Sequence, residues 1–596
     1  MKAFKISIFV VLLLSRSLFA QIDRSQAPEA GPAPKIQIGE YESFSLDNGL
    51  KVFVVENHKI PRVSFNLTLD IDPILEKDKA GYIGVAGQML RRGTTNRSKA
   101  QLDQEIDFIG ANIGTGSTNI FASSLKKHTE KLLELMSDVL YNPSFPQEEM
   151  DKIIKQTMSG LKQAKESPDA ISNNLKSALR YGTNHPYGEI QTEETTQNIT
   201  LADCKKYYET YFKPNVAYLV IVGDINVKTA KPLVEKYFAK WERGEVPRQE
   251  YEVPNAPAKT EVAIADKTGA VQTVLAITYP IELKLGDEDF FQAMVMNQIL
   301  GGSFGARLSQ NLREDKGYTY GSYSSLSQNR LVGSFNAGAS VRNEVSDSAT
   351  TQFLYELNRI RDKQVDSQEL TRAKNLMTGS FARSLESPQR IASFALNTAR
   401  YNLPADYYET YLEKLNAVTE EEVQAVAKKY IRPENAYIIG VGDKEVLAEK
   451  LAQFGKVTEY DNYGNEVTAE AKAAASNIDV DEVINKYLKA IGGEAKLRKI
   501  KTIKTEGSME LMGMSITIST AKQMEGPLKG KSFVSQTMNG NEMMRVVYDG
   551  EQAASSGMMG SKKFEGDDTE PFKYDVAIFR ELDYKDKGFK VEAKEM

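Results

Sequence analysis

The chain is poor in the residues that most often build metal and redox sites. Its 596 residues hold one cysteine, Cys204, and three histidines, His58, His128 and His185. One cysteine excludes an internal disulfide, a cysteine-rich zinc site and an iron–sulfur cluster. The histidines stand 70 and 57 positions apart, so no two share a helical face at i,i+4. A self-contained zinc helix of the H-E-x-x-H kind is therefore excluded by counting. His58 precedes Pro61 in a turn, His185 precedes Pro186, and His128 opens a helix among lysines; each reads as an ordinary surface or turn residue. Net charge is only −6 and no long basic stripe occurs, which argues against nucleic acid as a partner.

What is present is the composition of a globular protein, 41% hydrophobic and 26% charged. The length suggests about four domains. Lys2 and Lys5 precede an apolar run, Ile6–Leu14, and small Ala20 precedes Gln21. That layout predicts a signal peptide over residues 1–20, because the run is too short to span a bilayer. The competing reading is a buried N-terminal helix. No cysteine follows the cleavage point, so a lipid anchor is not expected. The mature chain is expected to be exported and periplasmic, without an integral membrane segment.

After a polar, Pro-rich lead over Gln21–Lys35, strands are predicted at Tyr41–Leu46, Leu50–Val55 and Val63–Leu69. Helices are predicted at Tyr82–Arg92, Lys99–Ile109, Thr129–Tyr141 and Met150–Lys165. An internal repeat follows. Residues 211–224 (YFKPNVAYLVIVGD) recur as 430–443 (YIRPENAYIIGVGD), at an offset of 219 without a gap and with seven identities. Thr200 and Thr419 match at the same offset, ahead of the preceding helices. In each copy Pro stops a helix, an apolar strand follows, and Gly-Asp turns into another helix. A period this long means two similar domains rather than a solenoid. Gly244–Lys259, with three prolines, is the expected linker between them.

A second change of composition falls at Glu466–Asn477, which reads as a solvated spacer. A short helix pattern then closes at Gly492-Gly493, and strands are predicted at Lys501–Thr505, Ser515–Thr520, Ser532–Thr537 and Met544–Tyr548. Ten of the 18 methionines lie from Met509 onward. They suit either an ordinary core or an apolar face that adapts to a ligand. The expected fold class is α+β: two homologous α/β domains in tandem over 38–243 and 260–456, then a helix-plus-antiparallel-sheet domain over 477–596.

The segment 308–321 (LSQNLREDKGYTYG) resembles the second-domain signature of the insulinase/pitrilysin-type peptidase family. The resemblance extends over roughly Glu40–Lys456, and that family is built from paired α/β domains, as the repeat independently suggests. Its active subunits carry an H-x-x-E-H helix ahead of Gly-Thr, two imidazoles on one zinc and a Glu that activates the bound water. Counting back from Gly93-Thr94, Gly84 and Gln88 stand at the histidine positions and Gly87 at the Glu position. A third ligand would fall roughly 70–80 residues later. There the helix offers Gly160 and its neighbours, and Glu166 is the one nearby acid. No metal is expected on this chain.

The resemblance also implies an Arg and a Tyr from the second domain that reach the active site. Arg313 matches the Arg position; the Tyr is Tyr320, seven residues on, or Tyr318, which follows Gly317. An Arg fork grips a carbonyl or carboxylate, and a Tyr hydroxyl donates to a developing oxyanion. Residues 318 and 320 are expected to share one face of a strand. The competing reading makes Arg313 and the tyrosines interface or core residues. Gly301–Gly305 reads as a turn between helices, since it lacks the Lys of a phosphate loop.

Two functions follow from the resemblance. One is the non-zinc-binding subunit of a heterodimeric peptidase, with zinc on a homologous partner and a peptide substrate between the two. The other is a catalytically inactive peptide- or lipid-binding or scaffolding protein. There the C-terminal region would be the working part. It weakly resembles, over Asp481–Gly513, lipoprotein-carrier-like domains, and it is short for a full half-barrel.

Overall fold

The computed structural model describes residues 39–468 and 479–584, apart from 512–513, 527–528 and 558–559, together with Val591. The signal peptide, the Pro-rich lead and most of the spacer lie outside the described residues. Contacts divide the chain into one unit ending at Glu466 and another beginning at Val467.

The first half of the larger unit begins with strands β1 (Glu42–Ser45), β2 (Lys51–Glu56) and β3 (Arg62–Leu69). Val63, Phe65, Leu67 and Leu69 alternate inward along β3, whereas Val52–Val55 of β2 are buried without a break. An unbroken buried run requires cover on both faces of the sheet. Helices α1 (Tyr82–Met89) and α2 (Lys99–Phe108) follow, then strands β4 (Asn112–Thr115) and β5 (Asn119–Leu125). Helices α3 (Thr129–Tyr141), α4 (Gln147–Ala164), α5 (Pro168–Tyr181) and α6 (Leu201–Tyr211) lead to strand β6 (Ala217–Gly223) and helix α7 (Val227–Phe238). The sheet order is β1-β2-β6-β3-β5-β4, with β2 and β6 parallel and the other neighbours antiparallel.

The second half repeats this plan. Strands β7 (Glu261–Asp266) and β8 (Gln272–Ile281) precede helix α8 (Phe290–Leu300), then β9 (Tyr323–Ser327) and β10 (Gly333–Arg342). Helices α9 (Ser346–Asp362), α10 (Ser367–Ser384), α11 (Pro388–Arg400) and α12 (Glu420–Tyr430) lead to β11 (Tyr437–Gly442), α13 (Lys444–Leu451) and β12 (Val457–Tyr460). The sheet order is β12-β7-β11-β8-β10-β9.

The sequence repeat is a structural repeat. Thr200 and Thr419 each cap the following helix with a capping box, to Asp203 and to Glu422. Pro214 and Pro433 each open a short 3-10 turn, and β6 and β11 occupy equivalent interior places in their sheets. Such a cap satisfies backbone N–H groups at the helix start and contributes about 1 kcal/mol.

The two halves exchange helices. The face of β2 and β6 bearing Phe53, Val55, Tyr218, Val220 and Val222 packs on Ala392 and Ala395 of α11. Reciprocally, Ile171 and Leu175 of α5 pack on Ala263, Ala265, Ala276, Ile439 and Val441 of the second sheet. This is the second cover that the buried run of β2 requires. Neither α5 nor α11 was predicted. Ser167-Pro168 reads as a helix end, and α4 does end at Ala164, yet Pro168 is also the first residue of α5, capped by the Ser167 hydroxyl.

The smaller unit holds helix α14 (Val480–Ala490), an antiparallel meander and helix α15 (Glu570–Asp575). Its strands, β13 (Thr502–Leu511), β14 (Met514–Gly526), β15 (Lys529–Met538), β16 (Asn541–Tyr548), β17 (Ala553–Gly557) and β18 (Gly560–Phe564), pair in chain order. The Gly493 N–H donates to the Leu488 carbonyl, and Gly492 and Gly493 both take positive φ, as a glycine helix stop requires. The architecture is the expected α+β one, two related sheet-and-helix halves plus a separate antiparallel region. No described helix is long and apolar enough to cross a membrane.

Candidate functional site

Helix α1 carries the positions at which the family holds its metal. Its start is tied down from a distance: one Glu76 carboxylate oxygen accepts from the Gly81 N–H at 3.0 Å and the Ile83 N–H at 2.9 Å. The Glu189 carboxylate accepts in turn from the N–H groups of Glu76 (2.8 Å) and Lys77. Burial pushes the Glu76 carboxyl up to about 7, opposed by the backbone donors and helped by the nearby Glu189 charge. Burial raises Glu189 as well.

Val85, Ala86 and Met89 anchor α1 in the core, leaving Gly84 and Gln88 exposed one turn apart. A Cβ at Gly84 would meet nothing within 4 Å. Gly160 on α4 is also exposed and open. Gly87 is the opposite case. A Cβ there would lie 2.3 Å from the Gly116 carbonyl carbon and 2.4 Å from the Ser117 nitrogen. That turn between β4 and β5 is held by the Tyr207 hydroxyl, which donates to the Ser117 carbonyl at 2.9 Å. The position matching the catalytic Glu thus has no room for any side chain unless backbone moves.

The positions matching the zinc ligands offer neither imidazole nor carboxylate, and among the described residues no group of three or more His, Cys, Asp or Glu could hold a metal ion. These residues do not fit zinc. Glu166 lies beyond the end of α4 and pairs with Lys267.

The histidines are scattered. His58 is exposed between Asp224 and Glu56, whose hydrogen bonds raise its pKa. His128 precedes α3. His185 does lie in a turn, but the surface reading is wrong, for it is only 4% exposed. Its ring stacks on Tyr181, meets Tyr187 and Tyr251 edge-on, and accepts from the Tyr187 N–H at 3.1 Å through Nδ1. Tyr251 arrives from the inter-domain linker, 66 positions away, and closes over it; burial lowers the pKa of His185.

The segment matching the second-domain signature starts as the short helix Arg307–Ser309 and widens into a π-helix over Gln310–Asp315. Gly301–Gly305 is the expected turn between this helix and α8. The Arg313 guanidinium lies 3.9 Å from the Phe304 ring centroid and donates to Glu314 Oε1 at 2.8 Å. Tyr318 packs on the second core, while Tyr320 is 92% exposed. Tyr318 and Tyr320 do not share the expected strand face, because β9 begins only at Tyr323. Gly317 takes a φ of 61°, and the Thr319 hydroxyl donates to the Ser340 carbonyl at 2.8 Å. The chain between is an irregular loop, so one tyrosine is tucked in and the other stands out.

Charged ties cross between the halves. Asp70, just after β3, pairs with Arg330 and with Arg400 Nε at 3.1 Å, and Arg330 also reaches Asp72 at 3.0 Å. A second basic pair, Lys176 and Arg180 on α5, escaped the sequence reading. Its one signal was the recurrence of Arg180-Tyr181 as Arg400-Tyr401.

Residues 52–191 match the insulinase family, peptidase family M16, and residues 198–377 match the peptidase M16 inactive domain. The chain is 25% identical over 398 residues to an uncharacterized zinc protease of Bacillus subtilis (strain 168), across 65% of this chain and 94% of the relative. It is 23% identical over 393 residues to a non-peptidase homolog of Helicobacter pylori, across 64% of this chain and 90% of the relative. The crystal structure of a peptidase M16 inactive domain from Pseudomonas fluorescens superposes with a TM-score of 0.62 at 25% identity, covering 68% of this chain and 98% of that one. Repeat, paired sheets and both family matches agree: the chain is a homologue of the insulinase (M16) peptidases that lacks their metal-binding cluster among its described residues.

Proposed function

We propose that this chain is the non-zinc-binding subunit of a two-subunit M16 peptidase, which holds a peptide against a homologous zinc-bearing partner. The observation that carries this reading is the contrast between the two halves. Gly87 is sealed against Gly116 and Ser117, while Arg313 and Tyr320 remain accessible on the opposite half. Arg313 supplies a planar fork for a substrate carbonyl or carboxylate, and Tyr320 a hydroxyl for negative charge that develops on it. Tyr318, partly packed in the core, supports the loop. The N-terminal layout adds export to the periplasm, tested by sequencing the mature N-terminus for Gln21.

The test is reconstitution with a homologous subunit that keeps an intact H-x-x-E-H helix. The chain alone is expected to retain no stoichiometric zinc and to cleave no peptide. In the pair, Arg313→Ala and Tyr320→Phe should each lower kcat by about 10²–10³, with assembly unchanged. A fully active pair carrying Arg313→Ala, Tyr318→Phe and Tyr320→Phe refutes the role, as does zinc-dependent cleavage by the isolated chain.

A second reading, an inactive peptide- or lipid-binding or scaffolding protein, is favoured by the C-terminal sheet. Ile503, Met509, Ile518 and Met544 share one of its faces by strand register and are all exposed. If deletion after Ser476 abolishes function while Arg313→Ala is silent, this reading replaces the first.

A further inference from the structure

Helices α5 and α11 are counterparts, each beginning with Pro at its first turn and carrying Arg-Tyr at its C-terminal boundary. Arg180 lies over the Tyr181 ring at 5.1 Å, and Arg400 over Tyr401 at 5.8 Å. Their surroundings differ in charge. Arg400 has a carboxylate, Asp70. Among the described residues Arg180 has neutral acceptors only: its NH1 donates to Ser334 Oγ at 2.8 Å and its Nε to the Lys176 carbonyl at 2.8 Å.

Strand register identifies what is missing. Thr68 faces Tyr218, and Thr278 faces Tyr437, the repeat counterpart of Tyr218. Two residues along, Pro280 therefore stands where Asp70 stands in the first half. Pro280 is also directly opposite Ser334, the residue that Arg180 contacts. Against the second sheet the arginine therefore stands without the acid that faces its counterpart on the first.

A cavity of about 510 Å³ adjoins this place at Ser334, lined also by Asn173, Lys176, Arg180, Tyr187 and Asn336 among others. None of its lining residues is acidic. Lys176 makes no ion pair among the described residues, and Asp169, seven positions earlier, only offsets its surroundings through space. The Asn336 amide has a buried oxygen without a partner among the described residues. Turned over, that amide would offer its N–H groups to the cavity. Burial, and for Lys176 the neighbouring Arg180, lowers the pKa of both cations. Two cations half-withdrawn from water without a counter-charge are costly, and an anion between them removes that cost.

We propose that this cavity binds a carboxylate of a peptide, held by Lys176 and Arg180 in the place that Asp70 fills in the other half. An acidic side chain and a free C-terminus present the same group, and the volume suits a ligand of a few residues. The site belongs to this chain alone and does not depend on a zinc-bearing partner.

The test is calorimetric titration of the full chain at low salt with three acetylated alanine pentapeptides: one with a free C-terminus, one amidated, and one amidated with a central Glu. At least one acidic peptide should bind at least tenfold more tightly than the neutral one, and which of them does identifies the source. Lys176→Gln should weaken that binding about tenfold, and Pro280→Asp, which restores the internal carboxylate, should abolish it. Tryptophan fluorescence checks that both variants are folded; if Pro280→Asp is not, Lys176→Gln alone decides. Equal binding of all three peptides, no binding, or undiminished binding by folded variants overturns the proposal.

Discussion

Two helix glycines three residues apart should respond to alanine with opposite signs. At Gly84 the new methyl enters open space on an exposed helix face. Removing glycine from a helix interior there should stabilise by about 0.5–1 kcal/mol. At Gly87 the same gain is opposed by a methyl 2.3 Å from the Gly116 carbonyl carbon. Overpacking costs about 1–3 kcal/mol, so Gly87→Ala should destabilise by about 0.5–2 kcal/mol. The chain supplies its own reporter. Its one tryptophan, Trp241, is buried in the same core as α1, with its indole N–H donating to the Phe212 carbonyl at 3.1 Å. Urea unfolding followed by its fluorescence, with a slope of about 2–3 kcal/mol per M, should show a midpoint about 0.2–1.0 M lower for Gly87→Ala. Gly84→Ala should raise it by about 0.2–0.5 M on the same slope. If both variants move the midpoint in the same direction by the same amount, the close approach of α1 to the β4–β5 turn is not a constraint. A side chain at position 87 would then fit without movement of the backbone.

Glu76 gives a pH signature. Its pKa is raised from the ordinary carboxylate value to about 7, so the folded chain holds a proton that the unfolded chain has released. Its contribution is complete below about pH 4.5 and is lost as pH rises through about 7; Glu76→Gln should remove about 2 kcal/mol of that decline, read as the difference in urea midpoint between pH 5 and pH 8. Asp70→Asn leaves Arg330 and Arg400 without their shared carboxylate. It should cost about 2–3 kcal/mol, more than Thr200→Ala at about 1 kcal/mol, and an equal loss would mean that the tie between the halves is solvent-screened. Gly160→Ala, exposed on α4 with open space at its Cβ, should stabilise by about 0.5–1 kcal/mol in thermal unfolding; a loss would show that α4 packs more tightly there.

Local chemistry made much of this fold legible. The Thr caps, the Pro turns and strands β6 and β11 depend on residues within a few positions of one another, and a gapless repeat preserves them together. The exchanged helices were not legible. The inward stripe of α5, Ile171 and Leu175, is short, and the sheet that makes it a core face lies about 90 to 270 positions downstream. His185 failed for the same reason, since the ring that covers it belongs to a distant linker. At the site, the missing metal ligands could be counted from Gly93-Thr94, but the sealed space at Gly87 could not, because it depends on a turn 29 residues away. The strand expected around Tyr318 and Tyr320 failed because Gly317 and Thr319 shape a loop. The unmatched Arg180 needed strand register, which no spacing in the sequence reveals.

The exchanged helices also impose an order in time. As the chain emerges N-terminus first, from the ribosome or across the membrane, the face bearing Phe53, Val55, Tyr218, Val220 and Val222 is out before its cover. Its cover, α11, ends at Arg400, 178 residues later than Val222. At about 5–20 residues per second, that face waits roughly 10–35 s for Ala392 and Ala395. Helix α5 waits likewise for strands β7, β8 and β11. Through that interval the nascent chain presents an apolar sheet face and an apolar helix of its own, each suited to the missing half of another copy. Slow synthesis or a stop between the repeats would therefore favour pairing between chains, and a holdase acting in that window would protect the first half more than the second.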